Sequence, residues 1–129
     1  MHRVILVGIG GFVGATLRYL ISGGVQTLTQ SIAFPYGTLA VNITGCFLIG
    51  ICAHFVESQI SMSPEMRLLL MVGLLGSFTT YSTFSNETMN LLQDQRIFPA
   101  LLNIGTHITL GLIAVWLGRF TTNMILIWR

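Results

Sequence analysis

The chain has 129 residues, the size of one domain, yet 53% of them are hydrophobic and only 8% are charged, about a third of the charged share of an ordinary soluble protein. Six arginines and four carboxylates cannot cover the surface of a water-soluble monomer of this size, which excludes that class. The net charge of +2 is also too small for a nucleic-acid footprint.

Uncharged stretches run from Val4 to Leu17, Tyr19 to Val56, Leu68 to Asn86, Ile97 to Gly118 and Phe120 to Trp128. About 20 mostly apolar residues cross the hydrocarbon layer as a helix, and the second stretch holds the end of one span, a turn and another whole span. The expectation is a single all-α membrane domain over residues 1–129, with four transmembrane helices at about 4–22, 35–56, 67–92 and 98–120.

The first span follows Arg3, as a signal peptide would, but its apolar run is too long and reaches Arg18 before any convincing cleavage site. Gly10 and Gly14 within it form G-x-x-x-G, a motif that lets two helix backbones approach closely. With Gly8 and Gly11 the order is G-x-G-G-x-x-G, no strand precedes it, and a dinucleotide fold does not fit around it.

In the second span Thr38, Asn42 and Gly45 recur at i, i+4 and i+7 on one helical face. An amide at mid-membrane either joins helices or ligates something that passes through, and spacing leaves both open. Cys46, Cys52 and His54 lie in the same span at C-x5-C-x-H, which matches no zinc spacing, and the two cysteines fall on different faces. The N-x-S/T matches at Asn42 and Asn86 lie inside spans and are discounted as glycosylation acceptors.

The third span changes character midway: seven of the twelve residues from Ser77 to Thr88 carry aliphatic hydroxyls. A lipid-facing helix does not concentrate such groups, so this stretch faces protein or an aqueous path. Gly73 and Gly76 followed by Thr79 and Thr80 lower helix propensity at mid-membrane, and the expectation is a broken third helix. A continuous helix with hydroxyls bonded back to its own carbonyls is the alternative.

Arg18 and Glu87 are the charges inside the spans, read either as vestibule residues or as snorkelling ones. The fourth span offers Asn103, Thr106, His107 and Thr109, without a pattern that says which face they occupy. Pro35, Pro64 and Pro99 fall at expected helix starts, where a missing N–H does no harm. No Ser–His–Asp set at comparable depth points to hydrolysis, so an enzyme is not expected.

Four spans place both termini and the 57–66 connection on one side, with Arg3, Arg67, Arg119 and Arg129; Arg96 and the inward-lying Arg18 take the other. That weak bias suits a chain that inserts in both orientations. If the polar faces of the second and third spans meet, the lining is Asn42, Ser82, Thr83, Tyr81 and Phe84, with hardly any formal charge. Uncharged donors suit an anion better than a cation. Tyr81 and Phe84, at i and i+3, can present positive ring edges to it, although such a pair equally reads as core packing.

The run from Gly73 to Thr88, together with Gly37-Thr38-Leu39-Ala40-Val41-Asn42-Ile43-Thr44-Gly45 and Gly14-Ala15-Thr16-Leu17-Arg18-Tyr19, closely resembles the Fluc (CrcB) fluoride channel family. The resemblance implies an antiparallel, dual-topology homodimer of four-helix subunits in the bacterial inner (cytoplasmic) membrane. It implies passive, fluoride-selective export that gives fluoride resistance, through two pores flanking a central structural Na+. By the same resemblance Asn42 corresponds to the pore asparagine, Tyr81 and Phe84 to the two aromatic-box positions, and Ser82 and Thr83 to the hydroxyl track. Thr38 and Glu87 join the pore, Arg18 a vestibule, and the backbone carbonyls of Gly76 and Thr79 the sodium site. One departure stands out: the family pattern T-T-F-S-T-F reads Thr79-Thr80-Tyr81-Ser82-Thr83-Phe84 here, adding a phenolic hydroxyl to the box.

Two rival readings remain. A proton-coupled exporter of the small multidrug type is also short and antiparallel, but needs a carboxylate deep in a membrane helix, and the first span has none. A non-transporting assembly subunit would use Asn42 and the hydroxyl band for packing alone.

Overall fold

The computed structural model describes residues 1–58 and 62–128. Its regular elements are α1 (His2–Thr29), α2 (Tyr36–Glu57), α3 (Pro64–Arg67), a π-helical stretch (Leu68–Leu75), α4 (Gly76–Phe78), α5 (Tyr81–Gln93) and α6 (Ile97–Ile127). By length and apolar composition, four helical runs can cross a membrane: α1, α2, the run Pro64–Gln93 and α6. Among the described residues every regular element is helical, the make-up of a multi-pass membrane protein.

Two helices extend past the expected spans, α1 beyond residue 22 to Thr29 and α6 beyond residue 120 to Ile127. In these ends threonine hydroxyls are satisfied by their own helix: Thr27 and Thr29 donate to Gly23 O and Val25 O at 2.9 Å, and Thr122 donates to Gly118 O at 3.1 Å. A helix of 31 residues is about 46 Å long, well over the thickness of the hydrocarbon layer. Arg129 and part of the connection between α2 and α3 lie outside the described residues.

Small residues set the packing. Gly10 and Gly14 of α1 are buried against the π-helical stretch so closely that a Cβ on Gly14 would strike the Leu74 carbonyl and one on Gly10 the Leu69 carbonyl. The G-x-x-x-G motif therefore joins two spans of the same chain. At the opposite contact, a Cβ on Gly50 of α2 would meet Val115 O, and one on Gly118 of α6 would meet Phe47 O. Backbones replace side chains at both seams, as expected where lipid removes the usual hydrophobic drive.

The two ends of the bundle are tied differently. At one end Arg119 of α6 grips Glu57 of α2 through two charge-assisted bonds of 2.9 and 3.0 Å. At the other, Gln26 of α1 folds the connection to α2: its Nε2 donates to Phe34 O at 3.2 Å and also to Ser31 O, while its Oε1 accepts from Gly37 N at 3.0 Å. Arg96, just before α6, donates to Ile32 O and Ala33 O at 3.3 and 2.9 Å and straps the same loop. The outer surface is strongly apolar, with Phe12, Phe98, Leu112 and Trp116 exposed. Val41, Asn103 and Thr122 are the largest fully buried side chains.

Candidate functional site: a polar cleft and an apolar groove meeting at Thr80

Between α4 and α5 the backbone leaves the helical region for two residues, Thr79 at φ −87°, ψ 157° and Thr80 at φ −148°, ψ 111°. Asn42 of α2 occupies the position opposite. Its Oδ1 accepts from Thr80 N at 2.8 Å and its Nδ2 donates to Thr80 O at 3.1 Å, so one amide satisfies both backbone groups of one extended residue. Thr80 also caps α5, its Oγ1 accepting from Thr83 N at 3.3 Å and donating to Thr83 Oγ1 at 2.9 Å.

These bonds release carbonyls. In an uninterrupted helix the Thr80 N–H would bind Gly76 O and the Thr83 N–H would bind Thr79 O. The first is taken by Asn42 and the second by Thr80 Oγ1, which leaves the Gly76 and Thr79 carbonyls without those helical donors.

Thr80 is only 8% exposed and lines two depressions. One is a polar cleft of about 600 Å³ walled by Arg18, Thr38, Thr83, Glu87 and Arg96, among others. The other is a more apolar groove of about 710 Å³ walled by Asn42, Gly76, Thr79, Tyr81, Phe84 and His107 with neighbouring aliphatic residues. The expected site residues thus divide into two groups on either side of Thr80. Ser82 is exposed beside the junction, its Oγ 3.4 Å from Thr80 Oγ1.

In the cleft, Thr38 donates to Glu87 Oε1 at 2.6 Å, and Glu87 Oε2 is buried with no hydrogen-bond partner among the described residues. In the groove, the Tyr81 and Phe84 rings lie 5.6 Å apart at 51°, and Phe84 lies 4.3 Å from the His107 ring at 40°. Tyr81 is 80% exposed, so its ring is not a core residue. His107 Nδ1 meets Asn103 O at 2.9 Å. A carbonyl only accepts, which places the hydrogen of neutral His107 on Nδ1 and leaves Nε2 as an acceptor.

Two features were missed or left undecided by sequence reading. Thr80 emerged only as part of a low-propensity stretch, although Thr80-x-x-Thr83 has the spacing of a helix N-cap and its third following residue. On the fourth span, Asn103 is wholly buried toward α5 and His107 reaches the groove, whereas Thr106 and Thr109 bond to their own helix at Leu102 O and Gly105 O.

Comparison with known proteins places this architecture. Residues 5–119 match the family model described as CrcB-like protein, Camphor Resistance (CrcB). The chain is 45% identical, over 94% of its length and 91% of the relative's, to a fluoride-specific ion channel of Methanosarcina acetivorans. It is 46% identical to one from Geobacter sulfurreducens and 48% identical to one from Shewanella frigidimarina, in each case over 92% of this chain and 94% of the relative. The match runs across all four membrane-capable helices and the junction at Thr80, and the chain belongs to the CrcB family, a family of ion channels rather than enzymes.

Proposed function

We propose that this chain is a fluoride-selective passive channel that exports fluoride across the bacterial cytoplasmic membrane and gives fluoride resistance. The observation that carries the reading is the hold of Asn42 on Thr80, which opens the third span where the cleft and the groove meet. An amide nitrogen has two hydrogens. One serves Thr80 O, and the other is the donor assigned to the passing ion.

An anion entering the cleft meets Arg18, then the hydroxyls of Thr38 and Thr83 beside Glu87, with Ser82 next to the junction. It reaches Asn42 and leaves along the groove between the ring edges of Tyr81 and Phe84. Past Arg18, each donor on this path is neutral, strong enough to replace part of the hydration shell and weak enough to let go. The fixed carboxylate and guanidinium groups line the cleft rather than the groove.

The working unit in this reading is an antiparallel homodimer of single-domain subunits with two pores. Its support is the scarcity of charge bias in the sequence and the broad apolar surface of one protomer. The Gly76 and Thr79 carbonyls, released from their helical donors, fit a hard monovalent cation, and they are the groups assigned to a structural Na+ between subunits. When bound, that ion supplies a fixed positive charge near the path.

The test is fluoride efflux from proteoliposomes, measured against chloride. Asn42→Asp replaces the amide donor by a second acceptor that faces Thr80 O and any passing anion, and the expected result is loss of fluoride flux. Wild-type flux in this variant would remove Asn42 from the path.

A further inference from the structure

A groove without fixed cations can hold an anion only through N–H and O–H groups that no other acceptor has taken. Along the apolar groove most such side-chain hydrogens are already bonded. Thr79, Ser85 and Thr88 donate to Leu75 O, Tyr81 O and Phe84 O at 3.1, 3.0 and 2.8 Å. Thr80 donates to Thr83 Oγ1 at 2.9 Å, and the ring N–H of His107 meets Asn103 O at 2.9 Å.

Two strong side-chain donors on that wall are left over. One is the second amide hydrogen of Asn42. The other is the phenolic hydrogen of Tyr81, whose hydroxyl has no hydrogen-bond partner among the described residues. The Cys46 thiol, also on the wall, is a weak donor. The two strong donors are neighbours in the site: Asn42 holds Thr80 O at 3.1 Å, and Tyr81 is the next residue, the first of α5.

We propose that the Tyr81 hydroxyl is a specificity-determining donor in the groove, taking fluoride over from the Asn42 amide. The inference rests on the channel reading. A ring edge offers only weakly polarised C–H groups, whereas an O–H aimed at an anion makes a short charge-assisted bond. Fluoride is smaller than chloride, brings its charge closer to such a donor, and gains more from it. A phenol facing hydrocarbon alone would leave that hydrogen unbonded within the membrane-capable run Pro64–Gln93, a cost that the proposed contact removes.

Efflux of fluoride and of chloride from liposomes containing the full chain tests this, with Tyr81→Phe removing the hydroxyl and leaving the ring. The expected result is fluoride efflux about tenfold slower and a lower fluoride-over-chloride ratio, the size of one hydrogen bond to a charged partner. Tyr36→Phe removes a phenol from a ring that packs against Phe34 at 4.8 Å at the start of α2, and rate and ratio should stay at wild type there. Gel filtration of Tyr81→Phe should match the wild type, since a donor to the ion does not hold subunits together.

Unchanged or faster fluoride efflux in Tyr81→Phe, or an unchanged ratio, would overturn the proposal, and faster efflux would mark the hydroxyl as an obstruction. Altered elution of that variant would assign the hydroxyl to adhesion between subunits and overturn the proposal as well, as would an equal loss in Tyr36→Phe. Wild-type protein that passes no fluoride defeats the channel reading and this inference together. Conducting wild type with an unaffected Tyr81→Phe defeats only the donor role.

Discussion

At Asn42 and Thr80 one side chain serves as a joint and, in the proposed reading, as an ion contact as well. The amide closes both backbone groups of an extended residue, which is the joining role open to any membrane asparagine, and it keeps one N–H for another partner. Thr80 completes the junction by capping α5. Thr80→Val removes that cap while keeping shape, and the expected cost is about 1 kcal/mol in an unfolding titration, with Thr80→Ser close to wild type. Loss in Thr80→Ser with none in Thr80→Val would show that the methyl group, and not the hydroxyl, matters. Tyr81 was visible in the sequence as a departure from the family pattern, and the structure places its ring at the open groove.

At the scale of elements, the seam between α1 and the π-helical stretch depends on the absence of side chains. A β-branched residue at position 14 has nowhere to go but into the Leu74 carbonyl. Gly14→Val is expected to destabilise the protein by about 1–3 kcal/mol, the range for an overpacked site, read as a lower thermal midpoint in detergent. Gly23→Val is the control, since a Cβ there meets open space. The π-helical geometry of Leu68–Leu75 was not legible in the sequence. Nothing in the residues of Leu68–Leu75 marks the rare π geometry, and only the folded chain shows that this stretch is the one that α1 approaches at Gly10 and Gly14.

For the molecule as a whole, the proposed antiparallel pair predicts that engineered cysteine pairs cross-link subunits inserted in opposite directions. Exchange of Na+ for a larger cation is expected to weaken the pair in gel filtration. Cross-links found only between subunits of the same orientation would overturn this assembly.

Four membrane-capable helices, the end of the aqueous class of folds and the polar stripe of Asn42 with the Ser77–Thr88 band were all readable from residue order, because hydrophobic length and helical periodicity are local properties of the chain. Which hydroxyl caps, which amide hydrogen is left over and which face of the fourth helix meets Phe84 were decided only in the folded chain. Those outcomes depend on partners 38 residues apart in the case of Asn42 and Thr80, and on a helix-to-helix angle that no local pattern encodes.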